Sequence, residues 1–122
     1  MTSPNDDVLR FIGSSFRSVW SLEVLLLMKR EPQTWSRSEL ISTLRASELV
    51  VNKAIDELVA AGLVSVDGAD SQYQPVSEDI AHCVNEVEKL YAARPDAVRR
   101  AIISGASSGA AAFADAFRLR KD

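Results

Sequence analysis

The sequence predicts a mainly α-helical fold that carries one small β-hairpin. Apolar residues recur at steps of three and four along most of the chain, which is the spacing of a buried helix face. Only one region, on either side of Asp67-Gly68, has two short β-prone runs around a turn-forming pair. With 122 residues, 47% of them hydrophobic, the chain is expected to form a single domain around one core.

Two helices are expected before residue 31. A Ser-Pro pair followed by acidic residues begins the first one near residue 3, and the Gly-Ser-Ser run at 13–15 is expected to kink or end it. The second helix, about residues 18–30, is apolar on most sides, so we expect it to be the buried central helix with Trp20 in the core. Pro32 ends it, because proline lacks the N–H that a helix interior needs.

A short helix, a turn and a longer helix are expected next. Ser36 or Ser38 is expected to cap the short helix and Ser47 the longer one, with the turn at Arg45 between them. Gly62 lies where a left-handed residue commonly ends a helix. The inward face of the longer helix is predicted to comprise Val51, Ala54, Ile55 and Leu58.

The hairpin is expected to follow this longer helix directly. Its two β-prone runs, at residues 63–66 and 72–75, flank the Asp-Gly pair. Five residues, 67–71, separate the runs, so the sequence predicts a loop-tipped hairpin rather than a tight turn.

Two further helices are expected after the hairpin. Ser77 begins the first, whose buried stripe is predicted to be Ile80, Cys83, Val84, Val87, Leu90 and Tyr91. Pro95 opens the last helix, about residues 96–119, in which Gly105 and Gly109 allow another helix to approach closely. This pattern suits packing against the body of the protein or, as we favour, against a twin helix in a dimer.

Composition argues against several classes of function. The 14 basic and 17 acidic residues give a formal charge of −3, which lowers the expectation of nucleic-acid binding without excluding it. The single cysteine rules out an internal disulfide and suits a reducing cytoplasm. The N-terminus lacks a signal-peptide pattern, and the longest uncharged run, 101–114, is too short for a bilayer. We therefore expect a soluble, cytoplasmic bacterial protein without a membrane segment.

Catalytic and metal-binding patterns are weak. One histidine and the lack of a Gly-x-Ser-x-Gly motif argue against a catalytic triad. His82 and Cys83 are neighbours on a helix, so they project in different directions and form no zinc site without outside ligands. We expect no enzyme activity, no metal and no cofactor, with Cys83 as a core residue.

The order of elements over residues 18–77 resembles the bacterial winged helix-turn-helix regulators, especially the MarR-like ones. The run AIDELVAAGLV at 54–64 is similar to the exit of the recognition helix in that family, and ELISTL at 39–44 is similar to the preceding helix. The resemblance implies a winged helix-turn-helix with an N-terminal helix (1–17) and a C-terminal helical extension (78–122), all in one domain. It also implies a transcriptional regulator that binds DNA.

By this resemblance, five residues are expected to contact DNA. Ser47, Asn52 and Lys53 would face base edges in the major groove, while Arg37 and Arg45 would contact phosphates. Residues 36–77 hold only three basic residues against six acidic ones, including Glu48 on the longer helix and Asp67 and Asp70 on the hairpin. Well-bound proteins make on the order of 6–10 phosphate contacts, so DNA binding is expected to be weak or assisted.

The alternative hypothesis is a protein-interaction module that keeps the fold and no longer reads DNA. Leu49 and Val50 would then act with the acidic hairpin against a basic partner. An acidic partner would instead meet the basic C-terminal region, since residues 94–122 carry a net charge of +3 and residues 1–93 a net −6. The basic side chains expected at such a contact are Arg99, Arg100, Arg118 and Arg120. Under either hypothesis we expect a homodimer through the terminal helices.

Overall fold

The computed structural model describes residues 4–105, which form a mainly helical fold with a small three-stranded antiparallel sheet. The helices are α1 Pro4–Ser15, α2 Val19–Arg30, α3 Arg37–Leu44, α4 Glu48–Ala60, α5 Glu78–Ala93 and α6, which begins at residue 95 and is described to residue 105. The strands are β1 Trp35–Ser36, β2 Val64–Asp67 and β3 Asp70–Tyr73, in the order β1-β3-β2. The predicted part of the last helix beyond residue 105 lies outside the described residues.

Serine side chains cap four of the helices. The hydroxyl oxygens of Ser18, Ser36, Ser47 and Ser77 each accept a hydrogen bond from the backbone N–H three residues later. At α3 the cap is Ser36 rather than Ser38, and the Glu39 carboxylate accepts from the Ser36 N–H in return. This backbone hydrogen bond holds the pKa of Glu39 below its ordinary value, because it favours the charged carboxylate.

Helices α1 and α2 meet at a sharp corner. α1 continues through Gly13 to Ser15, and the chain then bends by 104° into α2. As predicted, α2 is the central helix and most of its residues are buried. Trp20, however, is 41% exposed, so its predicted core position is wrong. It shares a helix face with Glu23 and Leu27, which are both half-buried.

No single helix within residues 4–105 combines the length and the apolar character needed to cross a bilayer. The bent α1–α2 pair meets those two criteria only when both helices are counted together.

Helix α4 buries its predicted inward face and ends as predicted at a glycine. Val51, Ala54, Ile55 and Leu58 are all buried. Gly62 has a φ of 77° and follows the C-cap Ala61. Its N–H donates to the carbonyl oxygen of Val59, and the next N–H, of Leu63, donates to Leu58. These two bonds form a Schellman motif, which satisfies carbonyls at the helix end.

The hairpin is tighter than the sequence predicts. Strand pairing extends to Asp67 opposite Asp70, which leaves only Gly68 and Ala69 in the loop. Gly68, with a φ of 64°, occupies the first loop position, where tight hairpin turns require a positive φ. The five-residue loop was therefore the wrong expectation, because polar Asp67, Asp70 and Ser71 were excluded from strands on composition although all three pair.

Strand β1 was not predicted. Its two residues, Trp35 and Ser36, pair with Ser71 and Asp70 and make β3 the central strand. The pairing helps to bury Trp35, whose indole N–H donates to the carbonyl oxygen of Glu31 over 3.1 Å.

Helices α5 and α6 pack their apolar stripes against the body of the protein. Val84, Val87 and Leu90 of α5 are buried, as are Val98 and Ile102 of α6. The α5 stripe is otherwise only partly buried, and Cys83 in particular is half-buried rather than a core residue. Its position at the edge of the stripe accounts for this difference.

Two glycines allow α1 and α6 to pack closely. A Cβ added to Gly105 would lie 2.5 Å from both the Cα and the carbonyl oxygen of Gly13. Because no side chain fits in that space, the contact brings the two backbones together. The first glycine of the predicted small-residue pattern is thus used within the chain, and Gly109 lies outside the described residues.

Candidate interaction surface of helix α4

Helix α4 and its N-cap present several of the residues expected to bind DNA or a partner. Ser47, Glu48, Leu49 and Lys53 are exposed, and Val50 is half-buried. Leu49 is the most exposed large apolar side chain of the described chain, with 77% of it accessible to solvent. The Ser47 oxygen already accepts the Val50 N–H over 3.2 Å, so its hydroxyl hydrogen is the group left for an outside acceptor.

Two of the predicted DNA-contacting residues bind each other. The Arg37 guanidinium donates from Nη1 to Oδ1 of Asn52 over 2.6 Å, and both side chains are half-buried. The Nε of Arg37 is buried and has no hydrogen-bond partner among the described residues. Because a guanidinium only donates, this contact fixes the side-chain amide of Asn52 with its oxygen toward Arg37. Fifteen residues separate the pair, so no local sequence pattern indicates the contact.

Arg45 is exposed in the turn between α3 and α4. It has left-handed backbone angles, with φ 53° and ψ 41°, and its N–H donates to the carbonyl oxygen of Ile41. It is the only non-glycine residue with a positive φ in the described chain. A left-handed conformation normally suits glycine, and a non-glycine residue there costs about 1–2 kcal/mol. A glycine at this position would relieve the backbone strain, but the turn would then lack the cationic side chain of Arg45.

The tip of the hairpin is negatively charged. Asp67 and Asp70 lie directly opposite each other on β2 and β3, and both are exposed. Like charges in opposite positions destabilise a strand pair, so this arrangement does not serve hairpin stability. It also repels phosphate, as the sequence indicates, and suits contact with a basic group.

A groove of about 540 Å³ lies between the α1–α2 corner and helix α4. Four charged residues line it: Arg17, Lys53, Asp56 and Glu57. The remaining lining residues are small, namely Ser14, Ser15, Ala60 and Ala61. Sequence reasoning assigned only Lys53 to a functional surface. Arg17 was missed because it follows α1 and is brought to α4 only by the 104° corner.

The basic residues of α6 lie on a different part of the molecule. Arg100 is exposed, and Arg99 is placed 5.7 Å from the ring centroid of Tyr91. The Tyr91 hydroxyl donates to the Glu23 carboxylate over 2.5 Å. Burial is the main cause that raises the pKa of Tyr91, and the Glu23 carboxylate adds to it. Arg118 and Arg120, which were expected to join this surface, lie outside the described residues.

A second charged cluster joins α2 to α5. Glu88 accepts hydrogen bonds from Lys29 over 2.6 Å and from Arg30 over 3.0 Å. The hydrogen bond from Lys29 is the largest of the effects that lower the pKa of Glu88. Both cations therefore form ion pairs with Glu88 and add little positive charge to the α4 surface.

Within residues 4–105, no group of three or more His, Cys, Asp or Glu side chains is arranged to hold a metal ion. His82 is exposed and lies 3.9 Å from Glu86. Comparison with protein-family models, with curated proteins and with solved structures gave no match to this chain.

Proposed function

We propose that the protein is a winged helix-turn-helix regulator that acts in transcriptional control and binds DNA weakly or with assistance. The observation that carries the proposal is the order α3, turn, α4 and β2–β3 hairpin, with β1 closing the sheet and the outward face of α4 left uncovered. In this arrangement α4 is the recognition helix and the hairpin is the wing.

On DNA, Lys53 and Arg45 would supply the phosphate and base contacts nearest the recognition helix. Both side chains are exposed and make no ion pair among the described residues. Arg37 would act mainly through Asn52, because its hydrogen bond fixes the orientation of the Asn52 side-chain amide. The small number of available cations supports weak binding, since phosphate contacts supply most non-specific affinity.

Fluorescence anisotropy of a labelled random duplex at low salt tests DNA binding. We expect micromolar affinity, and we expect the substitutions Arg45→Ala and Lys53→Ala each to lower the salt slope of log K by about 1. Lys89→Ala is the matched control, since Lys89 is an exposed lysine on α5. Absence of any binding at tens of millimolar salt and micromolar protein would contradict the proposal.

The second candidate is a protein-docking module, favoured by one specific observation. Leu49 is 77% exposed on α4, next to the exposed carboxylate of Glu48. An exposed apolar side chain beside a negative charge suits a basic protein partner better than a phosphate backbone, and the exposed Asp67 and Asp70 of the hairpin add to the negative charge.

Charge reversal in the hairpin separates the two candidates. If the hairpin lies against DNA, Asp67→Lys should tighten binding several-fold and steepen its salt dependence. Glu31→Lys, an exposed acid at the end of α2, adds the same charge at a different place and is the matched control. Equal effects of both substitutions would show that the hairpin does not face DNA and would favour the docking module.

A further inference from the structure

The groove between the α1–α2 corner and α4 contains an unusual set of unpaired charges. Arg17 and Lys53 are exposed cations, Asp56 is an exposed anion and Glu57 is half-buried. None of the four makes a hydrogen bond or ion pair with another described residue through its side chain. Two positive and two negative groups thus line one concave surface without a direct ion pair between them.

Glu57 has a carboxylate oxygen without a hydrogen-bond donor among the described residues. Its Oε2 atom is shut off from solvent and accepts no hydrogen bond within the described chain. A buried carboxylate oxygen without a donor is costly, and most such atoms in proteins are satisfied. Glu57 lines the groove and is half-buried, so its carboxylate can accept a hydrogen bond from a ligand N–H there.

We propose that the groove binds an amino-acid zwitterion. The ligand carboxylate would lie against Arg17 and Lys53, because a guanidinium suits a carboxylate and an ammonium adds a second charge-assisted bond. The ligand ammonium would lie against Glu57 and Asp56. A purely anionic ligand would be repelled by the two carboxylates, and a purely cationic ligand would be repelled by the two cations.

The size and lining of the groove agree with this ligand class. Its volume of about 540 Å³ falls in the range of small-molecule sites. Ser14 and Ser15 on one wall and Ala60 and Ala61 on the other have small side chains, which leave room for a side chain of the ligand. The charged residues would therefore hold the α-carboxylate and the α-ammonium of the ligand. The small residues would accommodate its side chain.

Binding here would regulate DNA contact, a consequence that rests on the proposed function. Lys53 belongs both to the groove and to the outward face of α4. A ligand carboxylate that engages Lys53 removes it from a phosphate, and since few cations are available, the loss is large in relative terms. The ligand is thus expected to weaken DNA binding.

Isothermal titration calorimetry of the full chain without DNA tests the proposal. The probes are the twenty proteinogenic L-amino acids, each compared with its N-acetyl and its methyl ester derivative, which lack one of the two charges. We expect at least one amino acid to bind with a Kd of about 1 mM or tighter, and both derivatives to bind at least about tenfold more weakly. Binding by none of the twenty, or equal binding of the derivatives, would overturn the proposal.

Variants locate the site and separate this result from DNA binding. Arg17→Gln and Glu57→Gln should each weaken binding of the amino acid by about tenfold, whereas Lys89→Gln and Glu78→Gln, which remove exposed charges that do not line the groove, should leave its Kd unchanged. Circular dichroism confirms that each variant is folded. Equal losses in all four variants would overturn the site. Because no DNA is present, failure of the regulator proposal leaves this measurement interpretable.

Discussion

Gly13 and Gly105 occupy the same contact but are not equivalent residues. A Cβ on Gly105 would lie 2.5 Å from the backbone of Gly13, which real Cβ atoms do not reach. A Cβ on Gly13 would lie 3.5 Å from the Ala101 carbonyl oxygen and from the Gly105 Cα, an ordinary van der Waals contact. The direction in which each missing Cβ would point explains the difference, since only one of them points into the neighbouring backbone.

This asymmetry predicts opposite effects of the same substitution. Gly105→Ala should lower the free energy of unfolding by about 1–3 kcal/mol, because the helices must separate to admit the methyl group. Gly13→Ala should raise it by about 0.5–1 kcal/mol, because alanine favours the helix and fits the available space. Urea unfolding followed by circular dichroism measures both. Two losses of similar size would contradict the described crossing of α1 and α6.

At the scale of elements, the ion cluster around Glu88 couples the end of α2 to the middle of α5. Lys29 is the most enclosed of its partners, with 19% of its side chain exposed, while Arg30 is 57% exposed. The pKa of Glu88 lies below its ordinary value of 4.5, chiefly because of the Lys29 hydrogen bond. Folding therefore favours the charged carboxylate, and the stability it contributes is present above pH 4.5 and lost as the pH falls through the lowered pKa.

Removal of this carboxylate should flatten the acid dependence of stability. Glu88→Gln is expected to cost about 0.5–1 kcal/mol at neutral pH, since the pair is partly screened by solvent, and to cost little at about pH 3. Unfolding free energies measured at both pH values give the comparison. Glu86→Gln removes a more exposed carboxylate on the same helix and should change neither value by much. If Glu88→Gln lowered the free energy of unfolding as much at about pH 3 as at neutral pH, the cluster would stabilise the fold through packing rather than through charge.

The elements that could be predicted from sequence are those whose causes are local. The start of a helix can be predicted from its N-cap serine, because the capping oxygen accepts a hydrogen bond from a backbone N–H only three residues away. This holds for Ser36, Ser47 and Ser77. Gly62 likewise marks the end of α4. Strand β1 has no such signal, because two residues are too few to show alternation and pair only with a distant strand.

The candidate site was less predictable because its contacts join distant segments. The position of Lys53 on the outward face of α4 follows from helix periodicity. The Arg37–Asn52 hydrogen bond depends on the angle between α3 and α4, and Arg17 reaches the groove only through the corner before α2. The prediction for Trp20 was wrong because α2 is apolar on most sides. Its sequence therefore does not indicate which side of the helix is exposed to solvent.

At the scale of the whole molecule, charge and apolar exposure are unevenly distributed. Residues 94–122 carry a net +3 and residues 1–93 a net −6. Ile103, on the outer side of α6, is 62% exposed at the point where the chain continues toward Phe113 and Phe117. Burial of Ile103 against a second copy would stabilise the dimer that the sequence predicts, because the apolar side chain would leave water.

Light scattering tests the dimer directly. We expect twice the chain mass at micromolar concentration, and we expect Ile103→Glu to shift the mass toward the monomer, because a charge would be buried without a partner. Leu49→Glu is the control, since Leu49 is equally apolar and exposed but lies on α4. A monomer mass for the unchanged chain would reject the dimer, and a shift with Leu49→Glu instead would move the interface to α4.

The acidic tip of the hairpin also has a consequence for solubility. In the strand order β1-β3-β2, strand β2 forms an edge of the sheet, and Val66 on it is 41% exposed. Such an edge can pair with the same edge of another molecule and begin aggregation. Asp67 ends β2 with a negative charge, and Asp70 adds another directly opposite it, so two copies brought edge to edge would meet like charges. We therefore expect the pair that weakens the hairpin to oppose aggregation through this sheet edge in concentrated solution.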